Sequence, residues 1–199
     1  MVKIKICGIR RLKDIQIVNK YKPDYIGFVF ADSKRKVSHD LAHRLKENLD
    51  SDIIPVGVFV DAPINEIVDL YGDGVIKIAQ LHGIEDEDYI ETLKELTDNK
   101  LKIIKSIEMS DDVDLLRYDK LQVDYLLLDS GKGSGKTFDW DLIRKDLTKK
   151  FFLAGGLNST NVMQAIDEFN PYAIDLSSSL ETDGYKDENK IKEIMEVIN

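Results

Sequence analysis

Two side chains that can transfer protons stand at the ends of apolar runs. Cys7, the only cysteine among the 199 residues, closes a run over residues 2–7 and is followed by Gly8. Asp129 closes another run, residues 123–129, and precedes a glycine-rich stretch. A thiolate and a carboxyl group at two strand ends can serve as general base and general acid on one substrate. We therefore expect an acid and a base that face one cavity.

Each of these residues also has a purely structural interpretation. A free cysteine is often a small buried hydrophobic residue, and Asp129 could cap the loop that follows it. A base must be a thiolate, and only a few per cent of an ordinary thiol, with a pKa of about 8.5, is ionised at neutral pH. Cys7 therefore needs help from a cation or a bound substrate; Lys5, Arg10 and Arg11 lie nearby in the sequence.

Eight short apolar runs predict the β-strands that would position these groups. They cover residues 2–7, 25–30, 53–60, 75–81, 101–107, 123–129, 151–154 and 173–176. Between them apolar residues recur at helical spacing, with a short segment at 111–118 and another at 140–147. Ser38, Asp139 and Asn158 stand where helix N-caps are expected.

Strands this rich in Ile, Val and Leu, with little alternation, indicate a parallel sheet buried on both faces. Eight βα units in succession favour an α/β fold of one domain over residues 1–199, a (β/α)8 TIM barrel of near-minimal size. An open doubly wound sheet is the alternative.

The loops after the seventh and eighth strands are suited to phosphate. Gly155 and Gly156 follow the seventh strand, where backbone N–H groups can approach an anion closely, and Ser177 and Ser178 follow the eighth. These are the loops that commonly bind phosphate in TIM barrels, although a tight βα turn would also explain the glycine pair. A phosphosugar held there would lie between Asp129 and Cys7.

Two other motifs do not meet the requirements of their sites. Residues 130–137 resemble a nucleotide-binding P-loop, but Ser130 stands where that motif needs its first glycine. His39 and His43 have the spacing of a zinc-protease helix, yet Asp40 replaces the catalytic glutamate. On a helical wheel both histidines oppose the apolar face, so we expect them to face water.

Charge, hydropathy and cysteine content indicate which binding partners and which cellular compartment to expect. The formal net charge of −9 gives no basic footprint for nucleic acid. The longest apolar stretch, residues 53–60, is too short to cross a bilayer. A single cysteine cannot form an internal disulfide, and the N-terminal residues do not have the pattern of a signal peptide. We therefore expect a cytoplasmic protein without a nucleic-acid or membrane partner.

Several motifs, in this order and over essentially the whole chain, closely resemble the phosphoribosylanthranilate isomerase family. The most specific are Lys5-Ile6-Cys7-Gly8, Gln80-Leu81-His82-Gly83 and Gly135-Lys136-Thr137-Phe138-Asp139-Trp140. Ala154-Gly155-Gly156-Leu157-Asn158 also matches, but its glycine pair is common to many phosphate-binding barrels. The resemblance implies a TIM barrel that catalyses an Amadori rearrangement in tryptophan biosynthesis, without metal or organic cofactor. The partner it implies is a small phosphoribosyl substrate, and either a monomer or a homodimer is compatible with it.

The resemblance also implies roles for individual residues. Asp129 would protonate the furanose ring oxygen, and Cys7 would remove the C2 proton. Gly155, Gly156, Ser177 and Ser178 would hold the phosphate. Arg35, which by itself is more simply explained as part of a solvated basic loop, would engage the anthranilate, and Gln80 and His82 would line the pocket.

The sequence departs from the family's pattern in two places, and two alternative functions remain. Ser179 stands where a glycine is usual in the family, and residues 130–135 form a shorter segment than usual. A related phosphosugar isomerase with a second, histidine-pathway substrate is one alternative. A non-catalytic phosphosugar-binding barrel is the other, and the retention of both Cys7 and Asp129 argues against it.

Overall fold

Eight parallel strands close into a barrel in the order of the sequence. The computed structural model describes residues 2–130, 140–143 and 146–198. The strands are β1 Lys3–Cys7, β2 Tyr25–Val29, β3 Ile54–Phe59, β4 Ile78–Leu81, β5 Lys102–Glu108, β6 Tyr125–Asp129, β7 Phe151–Leu153 and β8 Ala173–Leu176. Because β8 pairs with β1, the sheet has no edge, and the predicted barrel is confirmed over the open alternative.

Helices alternate with the strands and cover the outside of the barrel. They are α1 Leu12–Tyr21, α2 His39–Glu47, α3 Ile64–Gly72, α4 Glu87–Leu96, α5 Leu115–Asp119, α6 Val162–Phe169 and α7 Glu188–Ile198. The largest apolar cluster packs between helices and sheet, as amphipathic helices on a sheet buried on both faces require. In the parts of the chain that the structure describes, no helix has the length and apolar character needed to span a membrane.

The period of two along each strand decides which side chains enter the barrel. Lys5 and Cys7 share one face of β1, and the register pairs Lys5 with Asp175 and Cys7 with Gly27. Towards the amino ends of the strands the interior is filled by an apolar cluster that includes Tyr25, Phe152 and Ala173. Above this cluster the interior carries polar side chains, among them Lys5, Gln80 and Asp175.

Of three local expectations, one is confirmed and two need correction. Ser38 does cap α2, accepting a hydrogen bond from the Leu41 N–H at 3.2 Å. Asn158, however, is not the cap of α6: Asn161 occupies that position, and the Asn158 Oδ1 instead accepts from the Thr160 N–H at 2.9 Å. In the helix predicted over residues 140–147, the described part contains only a 3₁₀ turn, Trp140–Leu142, and the predicted cap Asp139 lies outside the described residues.

A two-stranded antiparallel hairpin that the sequence did not predict follows β8. It consists of β9 Glu181–Thr182 and β10 Tyr185–Lys186, joined through Asp183 and Gly184 in left-handed backbone conformations. A 3₁₀ turn, Ser178–Leu180, connects β8 to this hairpin. The hairpin brings Glu181 and Lys186 over the carboxyl ends of β1 and β8.

Gly27 makes room for the Cys7 thiol, and we predict that Gly27→Ala destabilises the protein by about 1–3 kcal/mol, the usual cost of overpacking. A Cβ at this position would lie 2.6 Å from the Cys7 Sγ. The control is Gly72→Ala at the end of α3, where an added Cβ meets nothing within 4 Å. Urea denaturation measures both, and an equal change in the two variants would contradict this packing.

Candidate active site

A fully buried lysine forms the floor of the site. Lys5 has no exposed surface, and its Nζ donates to Asp175 Oδ2 at 2.7 Å and to Gln80 Oε1 at 2.8 Å. Burial by itself disfavours the ammonium, but Asp175 and Cys7 outweigh this effect and the pKa of Lys5 is raised. Lys5 is therefore charged. The second oxygen of Asp175, Oδ1, is buried and has no hydrogen-bond partner among the described residues.

Cys7 ends β1 directly above this floor, packed between Val29 and Val58. Burial raises the pKa of its thiol, while the ammonium groups of Lys5 and Lys186 act in the opposite direction. The thiol is therefore protonated at neutral pH, with two cations in place to stabilise a thiolate. The Ser177 hydroxyl donates to the Cys7 carbonyl oxygen at 3.2 Å, which ties the loop after β8 to the end of β1.

Asp129 lies across the mouth of the barrel, at the end of β6. Its side chain is 16% exposed, and burial raises the pKa of the carboxyl group, against the opposing effect of His82. The nearest ring nitrogen of His82, Nε2, lies 3.6 Å from Asp129 Oδ2. A carboxyl group with a raised pKa retains its proton over a wider pH range, which suits a general acid.

A row of polar side chains joins these two groups inside the barrel. The Gln80 amide contacts Lys5 through Oε1, and its Nε2 lies 3.2 Å from His82 Nδ1 and 3.1 Å from Ser106 Oγ. The row thus passes from Lys5, which adjoins Cys7, through Gln80 and His82 to Asp129. Gln80 is buried and His82 is partly exposed.

Arg35 reaches the same mouth from the loop after β2, where it is held by a carboxylate rather than solvated. Its Nε and Nη2 donate to the two oxygens of Glu181 at 2.7 and 2.8 Å. The Lys186 Nζ donates to Glu181 Oε1 at 2.8 Å and to the Ser177 carbonyl at 3.0 Å. Gly8, with a φ of +87°, gives this arrangement room, since a Cβ there would lie 2.6 Å from the Arg35 Cδ.

The glycine loop after β7 and the serine loop after β8 lie side by side at this end of the barrel. Gly155 and Gly156 adopt left-handed conformations, with φ of +84° and +66°. A Cβ on Gly155 would lie 2.6 Å from the Ser130 backbone nitrogen, so the close approach requires glycine. Ser179 lies in the 3₁₀ turn and has no positive φ, so this backbone accepts a side chain where the family usually has glycine.

The structure thus brings together Cys7, Asp129, Arg35 and His82 with the two loops. Sequence reasoning missed four charged residues of this end of the barrel: Lys5 as a floor residue, Asp175, Glu181 and Lys186. A lysine two residues before Cys7, and therefore on the same face of the strand as the thiol, was the available signal for the first. Residues 131–137 of the P-loop-like segment lie outside the described residues, as do residues 135–139 of the family motif that ends at Trp140. His39 and His43 are on the surface beside Glu66 and Asp73.

A family model and the curated relatives agree on one family. The family model "N-(5'phosphoribosyl)anthranilate (PRA) isomerase" matches residues 4–197. The N-(5'-phosphoribosyl)anthranilate isomerase of Endomicrobium trichonymphae is 46% identical, covering 100% of this chain and 98% of its own.

Solved structures of this kind superpose over the whole barrel. The phosphoribosyl anthranilate isomerase of Thermotoga maritima is 36% identical, with a TM-score of 0.89 over 99% of this chain and 98% of its own. A phosphoribosyl anthranilate isomerase in complex with reduced 1-(o-carboxyphenylamino)-1-deoxyribulose 5-phosphate is 34% identical, with a TM-score of 0.86 over 98% and 97% of the two chains.

The carboxylate of Glu181 is shared by two cations, and we predict that Glu181→Gln lowers the free energy of unfolding by about 3 kcal/mol. This is the low end for breaking a buried ion pair, since Arg35 is partly exposed. The control, Glu188→Gln, removes an exposed partner of Lys20 and should change the urea midpoint little. Equal midpoints for the two variants would contradict the buried role of Glu181.

Proposed function

The chain belongs to the N-(5'-phosphoribosyl)anthranilate isomerase family, and we propose that Asp129 and Cys7 are the acid and base with which it works. The protein is an isomerase of tryptophan biosynthesis. It converts N-(5'-phosphoribosyl)anthranilate to 1-(o-carboxyphenylamino)-1-deoxyribulose 5-phosphate by an Amadori rearrangement. The observation that carries the assignment of roles is the position of both side chains at the barrel mouth, on β6 and β1, on either side of β7 and β8.

The first step opens the sugar ring. Protonated Asp129 donates to the furanose ring oxygen as the C1–O bond breaks, and the anthranilate nitrogen supplies the electron pair that forms the C1–N double bond. The raised pKa of Asp129, caused by burial, supports this role because it keeps the proton available. The carboxylate left behind faces His82.

The second step moves the C2 proton. The Cys7 thiolate removes it, and the electrons of the C2–H bond form the C1–C2 double bond of an enolamine, neutralising the iminium nitrogen. Tautomerisation of the enolamine gives the ketose. Because burial raises the pKa of Cys7, the thiolate depends on the ammonium groups of Lys5 and Lys186. Their positions support Cys7 as the base.

The remaining groups bind and orient the substrate. We assign the phosphate to Gly155, Gly156, Ser177 and Ser178, which lie where TIM barrels commonly bind phosphate. Arg35 keeps Nη1 without a hydrogen bond to any described residue, and we assign this nitrogen to the anthranilate carboxylate.

We further propose that one chain forms a complete active site, as a monomer or within a homodimer, and that the protein acts in the cytoplasm. All the residues with assigned roles come from this chain. The acidic net charge also fits a substrate held by local backbone and arginine donors rather than by a general positive field.

We predict that Cys7→Ala and Asp129→Asn each lower kcat by about 10² to 10⁴, as expected for loss of a general acid or base. The fluorescence decay of phosphoribosylanthranilate generated in situ measures turnover, with Asp167→Asn, an exposed carboxylate on α6, as the control. Unfolding midpoints show whether each variant is folded. Near-normal turnover in a folded variant would remove that residue from the mechanism, whereas wild-type binding without turnover would favour a binding-only barrel.

A further inference from the structure

Gln80 lies between the charged ammonium group of Lys5 and the imidazole ring of His82. One end of the amide meets Lys5 Nζ at 2.8 Å, and the other end meets His82 Nδ1 at 3.2 Å. The side chain is 2% exposed, so water does not compete freely for these contacts. A buried amide in such a position couples the charged lysine to the histidine ring.

The lysine decides the orientation of the amide. An ammonium group only donates hydrogen bonds, so the Gln80 atom beside Lys5 must be the carbonyl oxygen, Oε1. The amide nitrogen, Nε2, is then directed to the opposite side, towards Ser106 Oγ and His82 Nδ1. The Ser106 hydroxyl can accept from Nε2, so all the contacts of the amide agree with one orientation.

The orientation of Gln80 in turn selects the histidine tautomer. Because Nε2 of Gln80 presents an N–H to His82, the ring nitrogen Nδ1 has to accept and carries no proton. The proton of the neutral ring is therefore on Nε2, the nitrogen that lies 3.6 Å from Asp129 Oδ2. A second proton on Nδ1 would set two donors against each other.

We propose that Gln80 is a positioning residue that holds His82 as the neutral Nε2–H tautomer beside Asp129, in an orientation dictated by Lys5. This inference rests on the proposed role of Asp129 as the general acid. An imidazolium in this place would hold Asp129 as a carboxylate and remove its proton before the reaction. A neutral N–H donor instead leaves the acid protonated and stabilises the carboxylate that forms when the proton is transferred. Contacts of this kind are often long without substrate and shorten in the complex.

The tautomer is measured directly by two-bond ¹H–¹⁵N correlation spectra of the histidine rings. The chain has three histidines, and His39→Gln and His43→Gln identify the surface signals by their loss. The wild-type His82 should show an unprotonated Nδ1 and a protonated Nε2. Detection of a proton on Nδ1 in the wild type would overturn the proposal without any variant having to fold.

Gln80→Glu tests the cause, because a carboxylate only accepts hydrogen bonds. Lys5 keeps its partner, but His82 Nδ1 then faces an acceptor, so Nδ1 should become protonated. Ser106→Ala is the matched control: it removes one contact of Nε2 but leaves Lys5 to orient the amide, so the wild-type pattern should persist. An unprotonated Nδ1 in Gln80→Glu would contradict the proposal.

Kinetics separate a positioning role from a merely structural one. We expect kcat of Gln80→Glu and of the neutral Gln80→Met to fall about 10- to 100-fold, as for partners that orient a reacting group, while KM changes little. An unchanged kcat in folded variants would refute the link to catalysis. Full activity of Asp129→Asn would refute the proposed acid instead, and the histidine spectra would still report whether Gln80 sets the tautomer.

Discussion

The active site is organised around the fully buried ammonium group of Lys5. A charge inside a protein has to be paired and hydrogen-bonded, because its loss of hydration otherwise costs several kcal/mol. Lys5 meets this requirement with Asp175 on the adjoining strand β8 and with Gln80 across the barrel on β4. These contacts orient the Gln80 amide and place a positive charge beneath the Cys7 thiol. The proposed acid side and the proposed base side of the site thus share one buried group.

A second charged cluster, at the level of the β9–β10 hairpin, completes the surroundings of the thiol. Glu181 holds Arg35 and Lys186 together, so Cys7 is influenced by one cluster below it and one above it. In each cluster a carboxylate offsets the ammonium. This explains why burial still dominates and raises the pKa of the thiol despite two nearby lysines. Ionisation of Cys7 therefore depends on the ammonium groups of Lys5 and Lys186 staying close to the thiol.

Local patterns in the sequence were sufficient for the barrel and for placing Cys7 and Asp129 at its mouth. Eight apolar runs predict the strands because a strand buried on both faces of a parallel sheet is apolar at nearly every position. The helical spacing of apolar residues between these runs predicts the helices. Cys7 and Asp129 were recognisable because strand ends form the mouth of a barrel. The partners of Lys5 and Arg35 were not, since they are 170 and 146 residues away and depend on register. The apolar pattern does not predict the hairpin, because its two strands are only two residues long. Nor does it decide between Asn158 and Asn161 as the cap of α6, because both are polar residues of the same short loop.

The measurement that tests the role of Lys5 most directly is the pH titration of thiolate absorbance in Lys5→Met. Cys7 is the only cysteine, and subtraction of the matching Cys7→Ala spectrum removes the tyrosine contribution. Loss of the Lys5 ammonium leaves burial and Asp175 opposed by the weaker effect of Lys186, so ionisation should begin at a higher pH than in the wild type. Lys3→Met, on the same strand but paired with Asp24 at the surface, should leave it unchanged. An onset in Lys5→Met at the wild-type pH or below it would contradict the account.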